Sequence, residues 1–302
     1  MESSRWRGVM PAITTPFHAD LSVDHEFLKH HVRHLLTHGV TGIVTPGSLG
    51  EGATLEHGEK NEIWNTCVNE CGDVPVIAAV SALSTSRAVA IARDAERAGC
   101  QGLMVLPPYV YRGSKREMLA YFSTIIESTP LSCMLYNNPI AYGTDLSPED
   151  VAHLAQRHQN LHAVKESSAD VRRVTGIRAL CGDRLAIFVG VDDLIVEGIA
   201  AGAVGWIAGL VNALPEESMK LFRACIDGRA REVDALYQWF LPLLRMDTTY
   251  DFVQLIKLIQ REVGIVGAGG AVTRPPRLLP EGAELERVIA AIRSVLDNRP
   301  NG

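Results

Sequence analysis

Residues 131–165 read LSCMLYNNPIAYGTDLSPEDVAHLAQRHQNLHAVK. The apolar run Leu131 to Tyr136 has the length of a buried strand, and Asn137-Asn138-Pro139 ends it. Ser147 then stands as a helix N-cap, with Pro148 at the first helical position and Asp150 at the capping-box position, where Glu or Gln is commoner. A second apolar run, Leu161 to Lys165, follows that helix. Strand, helix, strand in this order is the unit of a parallel sheet, because parallel neighbours need a crossover connection.

The same alternation extends in both directions. Strands are expected at Gly8 to Thr14, Gly42 to Thr45, Val74 to Val80, Gly102 to Leu106, Ala186 to Val189 and Val204 to Ala208. Between them the periodicity predicts helices at Asp24 to Thr37, Glu56 to Glu70, from a Ser84 or Thr85 cap to about Gly99, Lys115 to Glu127, Asp170 to Leu180 and Leu194 to Ala201. Eight such units fit an α/β fold, a closed (β/α)₈ barrel over residues 1–212, better than the alternative of a doubly wound sheet. No Gly-x-Gly-x-x-Gly fingerprint follows the first strand, and Gly47 to Gly52 matches neither it nor a phosphate-binding loop. After Gly209 only helices are expected, at Pro215 to Ile226, Ala230 to Leu244, Tyr250 to Val263 and Glu284 to Leu296, forming an extension over 213–302 packed on the barrel. Gly264 to Arg277 reads as a loop and residues 298–302 as a fraying tail.

The length, 302 residues, suits one large domain or two average ones. Hydrophobic residues make up 47% and charged residues 21%, an ordinary globular balance that excludes collagen-like and disordered chains. Lys and Arg number 29 against 35 Asp and Glu, a net charge of −6, so nothing points to nucleic acid or an anionic membrane as partner. No apolar run approaches the roughly 20 residues of a membrane helix. Met1 to Gly8 lacks the apolar stretch of a signal peptide. The six cysteines, Cys67, Cys71, Cys100, Cys133, Cys181 and Cys225, are scattered and read as reduced thiols of a cytoplasmic protein. Cys67 and Cys71 are spaced to share one helical face, but further metal ligands are wanting nearby.

In a barrel the chemistry gathers at the C-terminal ends of the strands. Lys165 closes His162-Ala163-Val164-Lys165. An amine facing a barrel interior loses solvation, which lowers its pKa and frees a nucleophile able to form a Schiff base with a ketone. The competing reading is a lysine that snorkels to the rim or pairs with Glu166. Tyr136 ends its strand with a phenol placed to pass protons, or is a buried tyrosine with a structural role. Gly47-Ser48-Leu49-Gly50-Glu51 either converges backbone N–H groups and the Ser48 hydroxyl on a carboxylate or is a structural turn. Other strand ends carry Gly190-Val191-Asp192-Asp193 and Trp206-Ile207.

Together these positions resemble the superfamily of dihydrodipicolinate synthase and N-acetylneuraminate lyase, Schiff-base-forming class I lyases. The resemblance runs from about Gly8 to Arg277. It rests on Ala12-Ile13-Thr14-Thr15-Pro16-Phe17, Gly47-Ser48-Leu49-Gly50-Glu51, Leu106-Pro107-Pro108-Tyr109, Tyr136-Asn137-Asn138-Pro139, Val164-Lys165-Glu166-Ser167 and Gly205-Trp206-Ile207. It implies a barrel with a C-terminal helical extension, assembled as a homo-oligomer, dimer or tetramer. It implies that Lys165 forms the Schiff base with a small-molecule 2-oxo acid and that Tyr136 relays protons. The backbone N–H groups of Ser48 and Leu49 would hold the substrate carboxylate, Ile207 would line the pyruvyl end, and no metal or organic cofactor is expected.

Departures narrow what the resemblance implies. The synthase branch has an arginine five residues after the tyrosine, where this chain has Ala141, and a methyl group cannot replace a guanidinium's bidentate grip on a carboxylate. It also has hydroxyl residues at the positions of Leu49 and Val110, the latter a relay tyrosine reaching across the dimer; Tyr109 or Tyr111 is the available substitute. The expectation is therefore a lyase other than the lysine-pathway synthase, cleaving a 2-oxo acid to pyruvate or a relative plus an aldehyde, or running the reverse condensation. Its alternatives are a dehydratase of a 3-deoxy-2-oxo sugar acid and a non-catalytic 2-oxo acid binding protein. The apolar Leu49, Val110 and Ala141 suit a less charged distal group, and Gly50-Glu51-Gly52-Ala53-Thr54-Leu55 resembles the hydratase-aldolase branch acting on aryl-substituted pyruvates.

Overall fold

The structure, a computed structural model, describes residues 1–267 and 269–300. Residue 268 of the expected loop and residues 301–302 of the expected tail lie outside them. The strands are β1 (Gly8–Pro11), β2 (Ile43–Thr45), β3 (Val76–Val80), β4 (Gly102–Val105), β5 (Ser132–Asn137), β6 (Leu161–Glu166), β7 (Ala186–Val189) and β8 (Gly205–Ala208). Their hydrogen-bonded order is β1-β8-β7-β6-β5-β4-β3-β2, and every pair is parallel. The last seam, β1 to β2, is joined by a parallel bridge between Ala12 and Val44, with Thr41 N–H donating to Val9 O at 2.8 Å and Ile13 N–H to Val44 O at 3.0 Å. The sheet is therefore a (β/α)₈ barrel and not a doubly wound sheet.

The helices are α1 (His25–Thr37), α2 (His57–Cys71), α3 (Thr85–Arg97), α4 (Lys115–Glu127), α5 (Pro139–Tyr142), α6 (Pro148–Arg157), α7 (Arg172–Cys181), α8 (Ile195–Ala200), α9 (Pro215–Ile226), α10 (Ala230–Leu244), α11 (Phe252–Glu262) and α12 (Gly282–Leu296). Strands β3, β4 and β8 are buried at every position, as strands covered on both faces must be. Local chemistry sets the helix starts. Ser84 caps α3, and Ser147 and Asp150 form the reciprocal box that opens α6. Cys67 and Cys71 share the buried face of α2 with Ile63 and Trp64. None of the described helices is long and apolar enough to cross a membrane.

Beyond shifts of one or two residues at element ends, two differences from expectation bear on the site. Strand β1 stops at Pro11, short of Thr14, because the Thr14 N–H donates to the side-chain oxygen of Asn212 (3.2 Å) instead of to a neighbouring strand. The turn after β5 is a short helix, α5. Asn138 accepts the Ala141 N–H at 2.9 Å, Pro139 occupies its first turn, and Gly143 ends it at φ +69.

Asn212 clasps the barrel where β1 meets β8. Its amide group donates to Ala12 O and Gly209 O, each at 2.8 Å, and its oxygen also meets His31 Nε2 at 2.8 Å. Removing it strands several buried groups at once. Asn212→Ala is expected to lower stability by about 3 kcal/mol, seen in urea unfolding as a lower midpoint at unchanged slope. A loss under about 0.5 kcal/mol, the range of an ordinary surface substitution, would contradict the clasp.

Candidate active site

The strand register assembles the centre of the site. Tyr136 of β5 lies directly opposite Lys165 of β6, so both side chains project from one face, while the next pair, Asn137 and Glu166, projects from the other. Lys165 Nζ accordingly sits 4.2 Å from the centroid of the Tyr136 ring. On the opposite face Glu166 accepts from Asn137 Nδ2 at 3.1 Å and from the Ser168 N–H at 2.7 Å. Lys165 is 7% exposed, so it neither snorkels to the rim nor pairs with Glu166. Tyr136 is likewise buried, and its hydroxyl accepts from Asn138 Nδ2 at 3.0 Å.

Space for the lysine comes from Gly190, which follows β7. A Cβ there would lie 2.5 Å from Lys165 Cε, 2.7 Å from its Cγ and 2.0 Å from Ser167 Oγ. Burial lowers the Lys165 pKa, while Asp247, Tyr142 and Asp192 pull the other way. Burial likewise raises Tyr136, with Asn138 the leading hydrogen-bond partner that opposes it.

The glycine-rich turn after β2 is held from several sides. A Cβ on Gly50 would lie 2.8 Å from Ile13 O and one on Gly52 2.5 Å from Pro46 O, so both positions need glycine. Between them Glu51 is fully buried at φ +55, a conformation its own side chain disfavours. It is fixed by Lys257 Nζ of α11 at 2.6 Å and by the Arg274 N–H at 2.9 Å. Thr15 Oγ1 donates to Gly50 O at 2.6 Å. The N–H groups of Ser48 and Leu49 have no acceptor among the described residues, whereas those of Glu51 and Gly52 close the turn internally. Leu49 is buried and Ser48 half-buried. Ile207, buried in β8, lies two residues outward of Gly205, which is level with Lys165 by way of Phe188.

Sequence reasoning assigned no role to three further groups. Tyr142, at the end of α5, hydrogen-bonds Ser48 Oγ, and its ring meets Tyr136 edge-on at 5.7 Å and 83°. Asp192, fully buried after β7, accepts from Trp206 Nε1 and the Leu210 N–H, both at 2.8 Å, and from the Gly209 N–H at 3.1 Å. Asp247 comes from a 3₁₀ turn, Arg245–Thr248, between α10 and α11. Its Oδ1 lies so close over Gly209 that a Cβ there would be 2.0 Å away. Burial raises Asp192 to about 6. Burial and the Asp192 charge raise Asp247 well above the usual carboxylate range, opposed by Lys165. The strand-end rule pointed to Asp192; Tyr142 and Asp247 stand in segments without a local signal. Tyr109 and Tyr111 are 40% and 57% exposed, and Tyr111 donates outward to Glu117 at 3.0 Å.

A profile of the dihydrodipicolinate synthetase family matches residues 5–294. The 4-hydroxy-tetrahydrodipicolinate synthase of Methanothrix thermoacetophila is 35% identical over 241 residues, 80% of this chain and 81% of that protein. The synthase of Methanococcoides burtonii is 32% identical over 286 residues, 94% of this chain and 96% of that one. Among solved structures, a dihydrodipicolinate synthase of Bacillus anthracis superposes with a TM-score of 0.91 at 26% identity, covering 98% of this chain and 99% of that one. A prophage protein of the dihydrodipicolinic acid synthase family from E. coli K12, in complex with pyruvate, gives 0.89 at 25% identity over 96% and 98%.

The Gly190 slot is open to test without a substrate. Gly190→Ala is expected to cost about 2 kcal/mol in urea unfolding through overpacking. Part of that loss should disappear when the same change is made in Lys165→Ala, because the lysine stem is gone and only the Ser167 hydroxyl is left to collide with. Equal losses with and without the lysine would show that Gly190 does not make its room.

Proposed function

The chain belongs to the dihydrodipicolinate synthetase family and is a lyase of the class I aldolase type, and from that premise we propose that it cleaves a 2-oxo acid through a Schiff base on Lys165. The observation that carries this reading is the buried Lys165 amine, level with Tyr136, which Tyr142 links to a turn with two N–H groups that meet no acceptor among the described residues. The substrate carboxylate is held by the N–H groups of Ser48 and Leu49, and Ile207 lines the pyruvyl end. The neutral amine attacks the 2-oxo carbon, and the carbinolamine loses its hydroxyl as water with a proton from Tyr136. The iminium then accepts the electrons of the breaking carbon–carbon bond, as the proton of the substrate's 4-hydroxyl passes to Tyr136. The aldehyde departs, the enamine takes up a proton, and water releases pyruvate or a related 2-oxo acid from Lys165. No step calls on a metal or organic cofactor.

We place this lyase outside the lysine-pathway synthase, although the relatives named above carry the synthase name. Ala141 is exposed and brings no guanidinium to the distal lip. One observation favours the synthase as second reading. Arg112, from the loop before α4, packs so closely on Gly143 that a Cβ there would lie 2.4 Å from its Nε, and it brings a guanidinium to the same lip.

Candidate 2-oxo acids with neutral distal groups are to be assayed for pyruvate release, for water loss without pyruvate, and beside them pyruvate plus aspartate semialdehyde for condensation. Pyruvate release from a neutral substrate, abolished in Lys165→Ala, is the expected result. Water loss alone would make the enzyme a dehydratase. Robust condensation that falls at least about 100-fold in Arg112→Ala would establish the synthase instead.

A further inference from the structure

The site holds a phenol that the proposed reaction has not used. Tyr142 is half-buried on the same chain as Lys165. Its hydroxyl hydrogen-bonds Ser48 Oγ and also meets the Tyr136 hydroxyl, and its ring packs edge-on against that of Tyr136. Burial raises its pKa, as does the neighbouring Tyr136, while Ser48 and Lys165 hold it down. The short helix that carries it is fixed at both ends, by the Asn138 cap and by Gly143 at φ +69. The tyrosines of the loop after β4 are placed otherwise. Tyr109 is exposed, and Tyr111 spends its hydroxyl on Glu117 of its own chain. Val110, 73% exposed, has no hydroxyl.

We propose that Tyr142 completes a proton relay, Tyr136 to Tyr142 to Ser48, within a single chain, so that no hydroxyl from a neighbouring subunit is needed. The proposal rests on the Schiff-base reading of Lys165. With pyruvate bound as the iminium, C3 loses a proton to Tyr136 Oη. Tyr136 passes its own proton to Tyr142, Tyr142 passes its proton to Ser48 Oγ, and Ser48 releases one to solvent. The C3–H electron pair becomes the enamine double bond, and the C=N π pair returns to nitrogen. Every hydroxyl ends neutral, and one proton has left. The reverse passage delivers the proton that turns a departing hydroxyl into water. Tyr142 acts through Tyr136 and is a positioning and relay residue.

The test needs only pyruvate. Exchange of its C3 protons in D₂O, followed by NMR, reports the relay, and borohydride trapping reports the Schiff base. Tyr142→Phe is expected to keep the Lys165 adduct and to slow exchange about 100-fold, the usual scale of a lost acid–base group. Ser48→Ala, which keeps the backbone N–H, should slow it as well, and the double variant should be no slower than the slower single one. Tyr109→Phe and Tyr111→Phe should exchange at the parent rate. Mixing Tyr142→Phe subunits with Lys165→Ala subunits should restore nothing. Unchanged exchange in Tyr142→Phe with the adduct intact, losses that multiply in the double variant, or recovery in the mixture would each overturn the relay. Absence of the adduct in the parent protein would overturn the Schiff-base reading itself.

Discussion

A lysine amine withdrawn from water at the end of β6 is the constraint around which the site is arranged. Desolvation favours its neutral form, and no carboxylate lies within ion-pair distance among the described residues to undo that. The surroundings answer the cost in ways visible in the structure. The Tyr136 ring, set opposite by the strand register, offers its electron-rich face to Nζ. Gly190 gives up a side chain so that the lysine stem can fit. Asp192 and Asp247 lie farther off, and burial raises the pKa of each. Lys165, Asp192 and Asp247 each shift the protonation of the others, so a titration of the site belongs to the cluster and not to one residue.

The second requirement is a rigid turn after β2, where the proposed reaction seats the substrate carboxylate, and a costly feature elsewhere braces it. Glu51 and Lys257 form a buried ion pair at 2.6 Å, an arrangement that burial generally makes unfavourable unless hydrogen bonds satisfy both charges. Here they do. Lys257 also donates to Thr15 O at 2.7 Å and Val272 O at 2.6 Å, while Glu51 accepts from the Arg274 N–H. The pair binds the turn after β2 to α11 and to the segment beyond it. The C-terminal helices thus serve the site in two places, by bracing the turn and by bringing Asp247 over Gly209. Donors held in place before the substrate arrives need no reorganisation during the reaction.

Much of this was legible in the sequence because it is written in local signals. Capping residues such as Ser147 and Asp150 mark where helices begin, and the alternation of strand and helix sets the barrel. The rule that barrel chemistry lies at strand ends selects Lys165, Tyr136 and the Ser48-Leu49 turn. What stayed hidden depends on tertiary approach. Asp247 lies in a 3₁₀ turn whose position over β8 is set by how α10 and α11 pack. Tyr142 follows Ala141 in a turn that reads as a strand stop, and only the α5 geometry brings its hydroxyl to Ser48. The shortness of β1 is of the same kind, since it follows from a bond between Thr14 and Asn212, far apart in the chain.

The central claim is that the buried amine of Lys165 is the nucleophile. Reduction of the protein with borohydride in the presence of pyruvate, followed by intact mass measurement and peptide mapping, addresses it most directly. The account predicts one reduced pyruvyl group per chain, on the peptide carrying Lys165, and none in Lys165→Ala. An unmodified protein, or an adduct on a different lysine such as Lys257 or Lys60, would contradict it.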